Sequence, residues 1–320
     1  MNNQRVVNVG VKLFRIIGID TNQQTVDVDI QVESWWKIPN KERMEGRILN
    51  GINDKNYKKM DKNVLSHQVW NPKIRITNLT KKIDEELHYK VVCIDTEYYI
   101  KETRHIIGKF EQDFRLHSFP FDYQKLTFHI ESKRDDKKVS LMVAEQNISN
   151  FNKNSRVEEW YVPKLFTNKV NYLGSFPSVE VSMKIYRSSR YFMINIIAIN
   201  LLIQLVTLSN ITIDHKQPED RLNISVMLLL IGVAFKMNNN DSLPNISYLT
   251  HMDKYHVSGL VYHSLSVLQN VVSSLTSNVS NFDLWSIIFL GSFIFIMNSA
   301  FMIKGLVSRH YRRKDIGYQF

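Results

Sequence analysis

Residues 191–213 read YFMINIIAINLLIQLVTLSNITI, and no Asp, Glu, Lys or Arg interrupts them. At ~1.5 Å per residue a helix of that length covers a hydrocarbon core of ~30 Å, so the stretch predicts a membrane span. A second stretch, residues 284–307, reads LWSIIFLGSFIFIMNSAFMIKGLV and is broken by Lys304 near its end. A long side chain there can snorkel to the headgroups. Between the two lie weaker apolar runs. RLNISVMLLLIGVAF at 221–235 dissolves into KMNNNDSLP, and 255–275 is spotted with Ser, His, Asn and Gln. Helices that carry polar groups at membrane depth are usually buried in protein or line water. The expectation is therefore a membrane half, residues 189–320, with helices at 191–213, 221–240, 253–275 and 284–307, the second lining a pore.

On a helical wheel the positions Asn223, Met227, Leu230, Ala234, Met237 or Asn238, and Asp241 recur at steps of three and four, so they share one stripe. Glu219 and Asp220 precede it, and Asp241 would stand about 31 Å along the axis from Asp220. Charged ends around an apolar middle suit a pore. The stripe equally suits an ordinary buried helix with acidic residues at its N-terminus.

Outward from this half the chain changes character. The 320 residues carry a formal net charge of +10 and a single cysteine, Cys93. Most of the charge precedes residue 190, while the mean hydropathy of −0.23 averages two unlike parts. One cysteine forms no intrachain bridge and no zinc site. With 11 Gly and 7 Pro and no repeat period, collagenous and solenoid architectures drop out. In residues 1–188 apolar positions alternate, as in 9–16 (VGVKLFRI) and 25–32 (TVDVDIQV), with similar runs at 91–94, 98–100, 106–114, 125–131, 139–143 and 179–186. Turn signals such as Asp20-Thr21-Asn22 and Arg134-Asp135-Asp136 separate them. The fold class expected is an N-terminal all-β, antiparallel, immunoglobulin-like sandwich followed by a four-helix transmembrane bundle.

Two sets of residues carry a family resemblance. The first is Val69-Trp70-Asn71-Pro72-Lys73-Ile74 with Asn78, then FEQDFRLHSFPFDYQKLTFHIE at 110–131, centred on Phe119-Pro120-Phe121-Asp122 with Gln124. The second is Asp220-Arg221-Leu222, the run Leu228 to Leu230, and Leu243-Pro244 through Tyr248 to Asp253-Lys254-Tyr255. Together, and in this order, they resemble the pentameric ligand-gated ion channels, the superfamily of the Cys-loop receptors. The paired cysteines of that family would fall at Gln112 and Leu126, so the chain is similar to prokaryotic and protist members without the disulfide. The short connection 276–283 is also like prokaryotic members. The proline usual in the first span is replaced by Ala198, which leaves that helix able to keep its full hydrogen-bond ladder.

The resemblance implies a pentamer in the plasma membrane, with the β domain extracellular and four further subunits as partners. Leu230, with Met227 and Ala234, would form an apolar ring that closes by dewetting. Glu219 and Asp220 would form an inner carboxylate ring and Asp241 an outer one, giving a cation channel; Arg221 beside them weakens that inference. Coupling would run from Phe119, Pro120, Phe121 and Asp122 to the loop 244–253, with Pro244, Tyr248 and Asp253, and Asp122 would pair with Arg190. A turn with packed aromatics is the plainer reading of Phe119-Pro120-Phe121. The family's agonist site lies between subunits; Trp36, Lys133, Arg134, Trp160, Tyr172 and Phe176 are the candidates to line it, with Trp35 and Tyr161. The aromatic expected near 131–134 for holding an amine is missing, and Glu131-Ser132-Lys133-Arg134 stands there instead. Buried tryptophans of a sandwich core are the commoner case.

Ten histidines, among them His105, His117, His129, His251, His256 and His263, leave a proton agonist open. None pairs at metal-ligand spacing, so no metal or other cofactor is expected. The opening MNNQRVVNVG is not a secretion leader, which an extracellular first half requires, so one is expected ahead of it. Arg309, Arg312, Arg313 and Lys314 would lie on the side of the β domain, against the positive-inside tendency. The sequons Asn78-Leu79-Thr80 and Asn147-Ile148-Ser149 lend that side weak support. The alternative from another class is a non-conducting membrane receptor or accessory subunit of a heteromeric channel. An enzyme has no triad order, phosphate loop or paired carboxylates to rest on, and the basic residues form no nucleic-acid motif.

Overall fold

A computed structural model describes residues 4–38, 57–60, 70–94, 97–135, 138–143, 159–162, 166–173, 176–214, 217–240, 247–276 and 279–316. The chain divides into a β unit, residues 1–114 and 124–185, and a helical unit, residues 115–123 and 186–320.

In the β unit, β1 (Arg5–Asp20) and β2 (Thr25–Lys37) form a hairpin. Asp20 closes it by accepting from the main-chain N–H groups of Asn22 and Gln23, both at 2.9 Å. Strands β3 (Tyr57–Met60), β4 (Ile74–Ile76), β5 (Leu79–Ile94), β6 (Glu97–Glu111), β7 (Tyr123–Ser132), β8 (Val139–Val143), β9 (Trp160–Tyr161), β10 (Phe166–Leu173) and β11 (Phe176–Arg187) follow. One sheet runs β3-β5-β6-β2-β1-β8 and the other β10-β11-β7-β4, with β9 on β11. Alternation fills the core as period 2 demands: Val7, Val9, Val11 and Leu13 of β1 and Val26, Val28 and Ile30 of β2 are buried. Phe110 and Phe128 meet edge to face at 5.3 Å within it.

Side-chain amides sew this unit together. Gln112 donates from Nε2 to Thr127 O at 3.0 Å and accepts from Thr127 N at 2.8 Å, bridging the end of β6 and the middle of β7. Asn78 donates from Nδ2 to Glu111 O and Thr127 O and accepts from His129 N. Its nitrogen is thereby occupied within the fold, not free for a glycan; Asn147 lies outside the described residues.

The helical unit contains α1 (Arg190–Thr212), α2 (Pro218–Asn240), α3 (His251–Leu275) and α4 (Val279–Ile316). Three expectations are corrected here. The sandwich is not purely antiparallel, because β1 and β8 pair in parallel, Arg5 to Val139 through Val9 to Val143, which makes that sheet mixed. Nor is there a four-helix transmembrane bundle: among the described residues only Arg190–Thr212 and Val279–Tyr311 are long and apolar enough to cross a membrane. Helices α2 and α3 carry polar side chains on their buried faces, Arg221 and Ser225 on one and His256, His263, Ser266, Gln269 and Asn270 on the other. The regular ladder expected around Ala198 is also absent, since Met193–Ala198 is wound as a π-helix.

Glu33 shows what the β unit needs electrostatically. It is 3% exposed, Lys12 donates to its Oε1 at 3.0 Å, and Lys101 forms an ion pair with its Oε2 at 3.0 Å. Burial pushes its carboxyl up, but the two ammonium groups outweigh that and hold the pKa below the usual glutamate value. The stability this confers is present above the unfolded pKa and is lost as the pH falls through the depressed folded value. Glu33→Gln is expected to destabilise the β unit by about 1.5–3 kcal/mol at neutral pH. In chemical denaturation followed by tryptophan fluorescence, the gap to wild type should close on acidification.

Candidate functional site

The first turn of α3 presents N–H groups that no helical carbonyl can reach. Thr250 and Asp253 supply part of the answer as a reciprocal cap: Thr250 N donates to Asp253 Oδ2 at 2.9 Å and Asp253 N to Thr250 Oγ1 at 3.1 Å. The segment 115–123 supplies the rest. His251 N donates to His117 O at 3.1 Å and Met252 N to Phe119 O at 3.2 Å. The segment is itself folded back on two turns, Phe119 N to Leu116 O and Phe121 N to Ser118 O, with a cis bond between Phe119 and Pro120.

Its side chains are held as firmly as its carbonyls. Leu116, Phe119 and Phe121 form one cluster with Ile196, Ile197, Met252, Tyr255 and Phe301. Phe119 meets Phe192 edge-on at 4.8 Å, and Phe121 tilts against Phe301 at 5.1 Å. Phe121 sits where α4 has Gly305; a Cβ there would stand 2.9 Å from the ring. Ser308, one turn on, donates to Phe121 O at 2.8 Å. Tyr248 adds two contacts: its hydroxyl accepts from Leu116 N at 2.9 Å, and its ring stacks on His117 at 3.8 Å.

Asp122 is 4% exposed and is held by Arg187, Nε to Oδ1 at 2.9 Å and Nη2 to Oδ2 at 3.4 Å. The expected partner, Arg190, is instead exposed at the start of α1. Arg187 has the better position because its main-chain N–H already bonds Asp122 O at 3.2 Å, and its guanidinium also lies 4.9 Å from the centre of the Phe119 ring. Thus Phe119, Pro120, Phe121, Asp122, Tyr248 and Asp253 are brought together, and Arg190 is not. Pro244 lies outside the described residues.

Helix α2 divides into two faces. Arg221, Ser225, Leu228 and Gly232 are buried, whereas Glu219, Asp220, Asn223, Met227, Leu230 and Ala234 are exposed on the other side. Met227, Leu230 and Met237 are 63%, 70% and 66% exposed, which is unusual for apolar residues in the middle of a helix. Arg221, the cation that counted against a negative ring, is turned inward: it donates to Asp283 Oδ2 at 3.1 Å and to Ile211 O at 3.0 Å. Asp241 lies outside the described residues.

The candidates for ligand contact scatter. Trp36 and Trp160 belong to the β core. Arg134 donates from Nε to Asn71 O at 3.1 Å, while Lys133 is exposed. Phe176 is 38% exposed, and Tyr172 is paired with Pro177 on β10. No group of His, Cys, Asp and Glu among the described residues could hold a metal ion. Sequence reasoning missed Arg187, Gly305 and Ser308, for which no local signal exists; Thr250-x-x-Asp253 was a readable capping pattern. No family model matches the chain, and no curated protein is significantly similar to it.

Two outcomes are expected at this clamp. Asp122→Asn and Arg187→Ala should each destabilise the helical unit by about 3–5 kcal/mol, because each leaves a buried partner uncompensated. In thermal unfolding of the detergent-solubilised chain, the double variant should lose clearly less than the sum. At His251, burial lowers the imidazole pKa, and the charges of Lys304, Lys254 and His117 lower it further. A folded pKa below the unfolded value means docking loses stability as the pH falls below about 6.5. Amide exchange at His251 and Met252, corrected for intrinsic rate, should accelerate between about pH 7.5 and 5.5. His251→Gln should flatten that dependence.

Proposed function

We propose that the chain is a subunit of a pentameric ligand-gated ion channel in the plasma membrane, with the β unit extracellular. An agonist held between neighbouring β units opens an ion path lined by the exposed face of α2, and α1 and α4 turn their apolar surfaces to lipid. The observation that carries the reading is the division of α2. Its exposed face runs from Glu219 and Asp220 through Asn223 to Met227, Leu230 and Ala234, while Arg221 is buried against Asp283. An isolated chain has no reason to expose that apolar middle; a ring of copies around water gives it one. With Arg221 neutralised inside the unit, the charge left at the mouth is that of two carboxylates per copy, and the path passes cations.

Support for the outward face of the other helices is of the same kind. Only 28% of the apolar window of α1 and 22% of that of α4 is buried within the chain. Docking of residues 115–123 on α3 and α4 supplies a route by which movement of strands β6 and β7, which that segment joins, reaches α2. The agonist is a small molecule or the proton. The candidate ligand residues do not define it, since two of the tryptophans are core.

Current recording from the chain expressed with a secretion leader tests this, under steps of pH and a panel of carboxylates and amines. A cation current is expected, with its reversal potential moved toward that of anions in a Glu219→Gln, Asp220→Asn variant. Leu230→Thr should leave a standing current, because a hydroxyl weakens dewetting at the narrow point. Wild-type current that is anion-selective would overturn the charge argument. Surface pentamers with no current under any condition would favour the non-conducting receptor or accessory subunit.

A further inference from the structure

The helical unit carries a second polar feature, separate from the exposed face of α2. Gln204, Thr207 and Asn210 follow one another on α1, and Gly259, His263, Ser266, Asn270 and Ser273 follow on α3, at steps that keep each set on one helix face. The faces meet. Thr207 Oγ1 and His263 Nδ1 are 2.9 Å apart, and the amides of Asn210 and Asn270 both donate to Ser225 Oγ of α2, at 2.6 and 2.5 Å. From Gly259 to Ser273 the seam runs about 21 Å along the axis.

Glycines bring the helices close along it. A Cβ at Gly232 would stand 3.1 Å from His263 Cδ2, and one at Gly259 3.4 Å from Gln204 Nε2. Yet five polar atoms of the seam have no protein partner among the described residues: Gln204 Nε2, Asn210 Oδ1, His263 Nε2, Ser266 Oγ and Asn270 Oδ1. Every one of these side chains belongs to a residue at most 5% exposed. Proton counting sharpens the need at His263. Thr207 has one hydroxyl proton, and Ile203 O lies 2.8 Å from its oxygen. With that proton spent, Nδ1–H donates to Thr207 and Nε2 is left as a bare acceptor.

We infer that this seam between α1, α2 and α3 binds a file of ordered waters. The unpartnered set mixes a donor, the Gln204 amide, with acceptors at Asn210, Asn270 and His263 and a hydroxyl that does both. A cation would face the amide N–H and an anion would face the carbonyls. Water alone is small, neutral and able to donate and accept at each station. The file gives the facing sides of α1 and α3 hydrogen-bond partners that exchange, in place of a dry interlock. It does not depend on what the exposed face of that helix conducts.

Water-edited solid-state NMR on the full chain in liposomes, with labelled Gln, His, Asn and Leu, tests it without any variant. Magnetisation from water is expected to reach the side chains of Gln204, His263 and Asn270 within about twofold of the rate at exposed Asn223, as buried bound water in exchange requires. Build-up as slow as at the buried methyls of Leu290 would overturn the inference. Asn270→Leu removes one station, and transfer to His263 should then slow by about threefold or more. Unchanged transfer to His263 in folded Asn270→Leu would overturn the assignment of Asn270 to the file.

Discussion

The helical unit depends on how the first N–H groups of α3 find acceptors away from bulk water. Main-chain carbonyls of residues 117 and 119 accept two of them, and the Thr250–Asp253 cap takes another. Because an unmet buried donor is expensive, the segment 115–123 is held to one path over the helices. That path puts Phe121 into the notch at Gly305 and Asp122 beside Arg187. The aromatic cluster, the ion pair and the cap are thus consequences of one requirement.

A second constraint acts on α2 and α3, which hold no stretch as apolar as those of α1 and α4. Some of their polar residues face inward, where Arg221, Asp283, Ser273 and Gln269 form one connected set and Ser225 joins Asn210 to Asn270. Outward, α2 shows Met227 and Leu230. Buried polar groups and exposed apolar ones thus share the same two helices, and among the described residues only α1 and α4 are long and apolar enough to cross a membrane.

Much of this was legible in the residues. Period-2 alternation located β1, β2 and most of the other strands, and the step of three and four placed Asn223, Met227, Leu230 and Ala234 on one side of α2. Phe119-Pro120-Phe121-Asp122 stood out before its contacts were known. Other features left no mark. Nothing in the order of residues says that β8 pairs with β1 in parallel, because parallel partners are joined through distant chain and share no turn signal. The choice of Arg187 over Arg190 turned on a backbone hydrogen bond, and the π-helical turn at 193–198 lies in a stretch with no Gly or Pro to announce it.

What the sequence determined by itself is therefore what pattern and composition control: a β half, a helical half, two long apolar helices and a stripe on α2. These follow from local periodicity, which acts over a few residues. Tertiary structure alone decided which polar groups are satisfied and by whom. Whether Arg221 adds its charge to the exposed face or is cancelled by Asp283, and whether Asp122 finds Arg187, depend on residues some 60 positions away. Such choices are settled by the cost of burying a charge or a donor without a partner, and that cost exists only once the helices have packed.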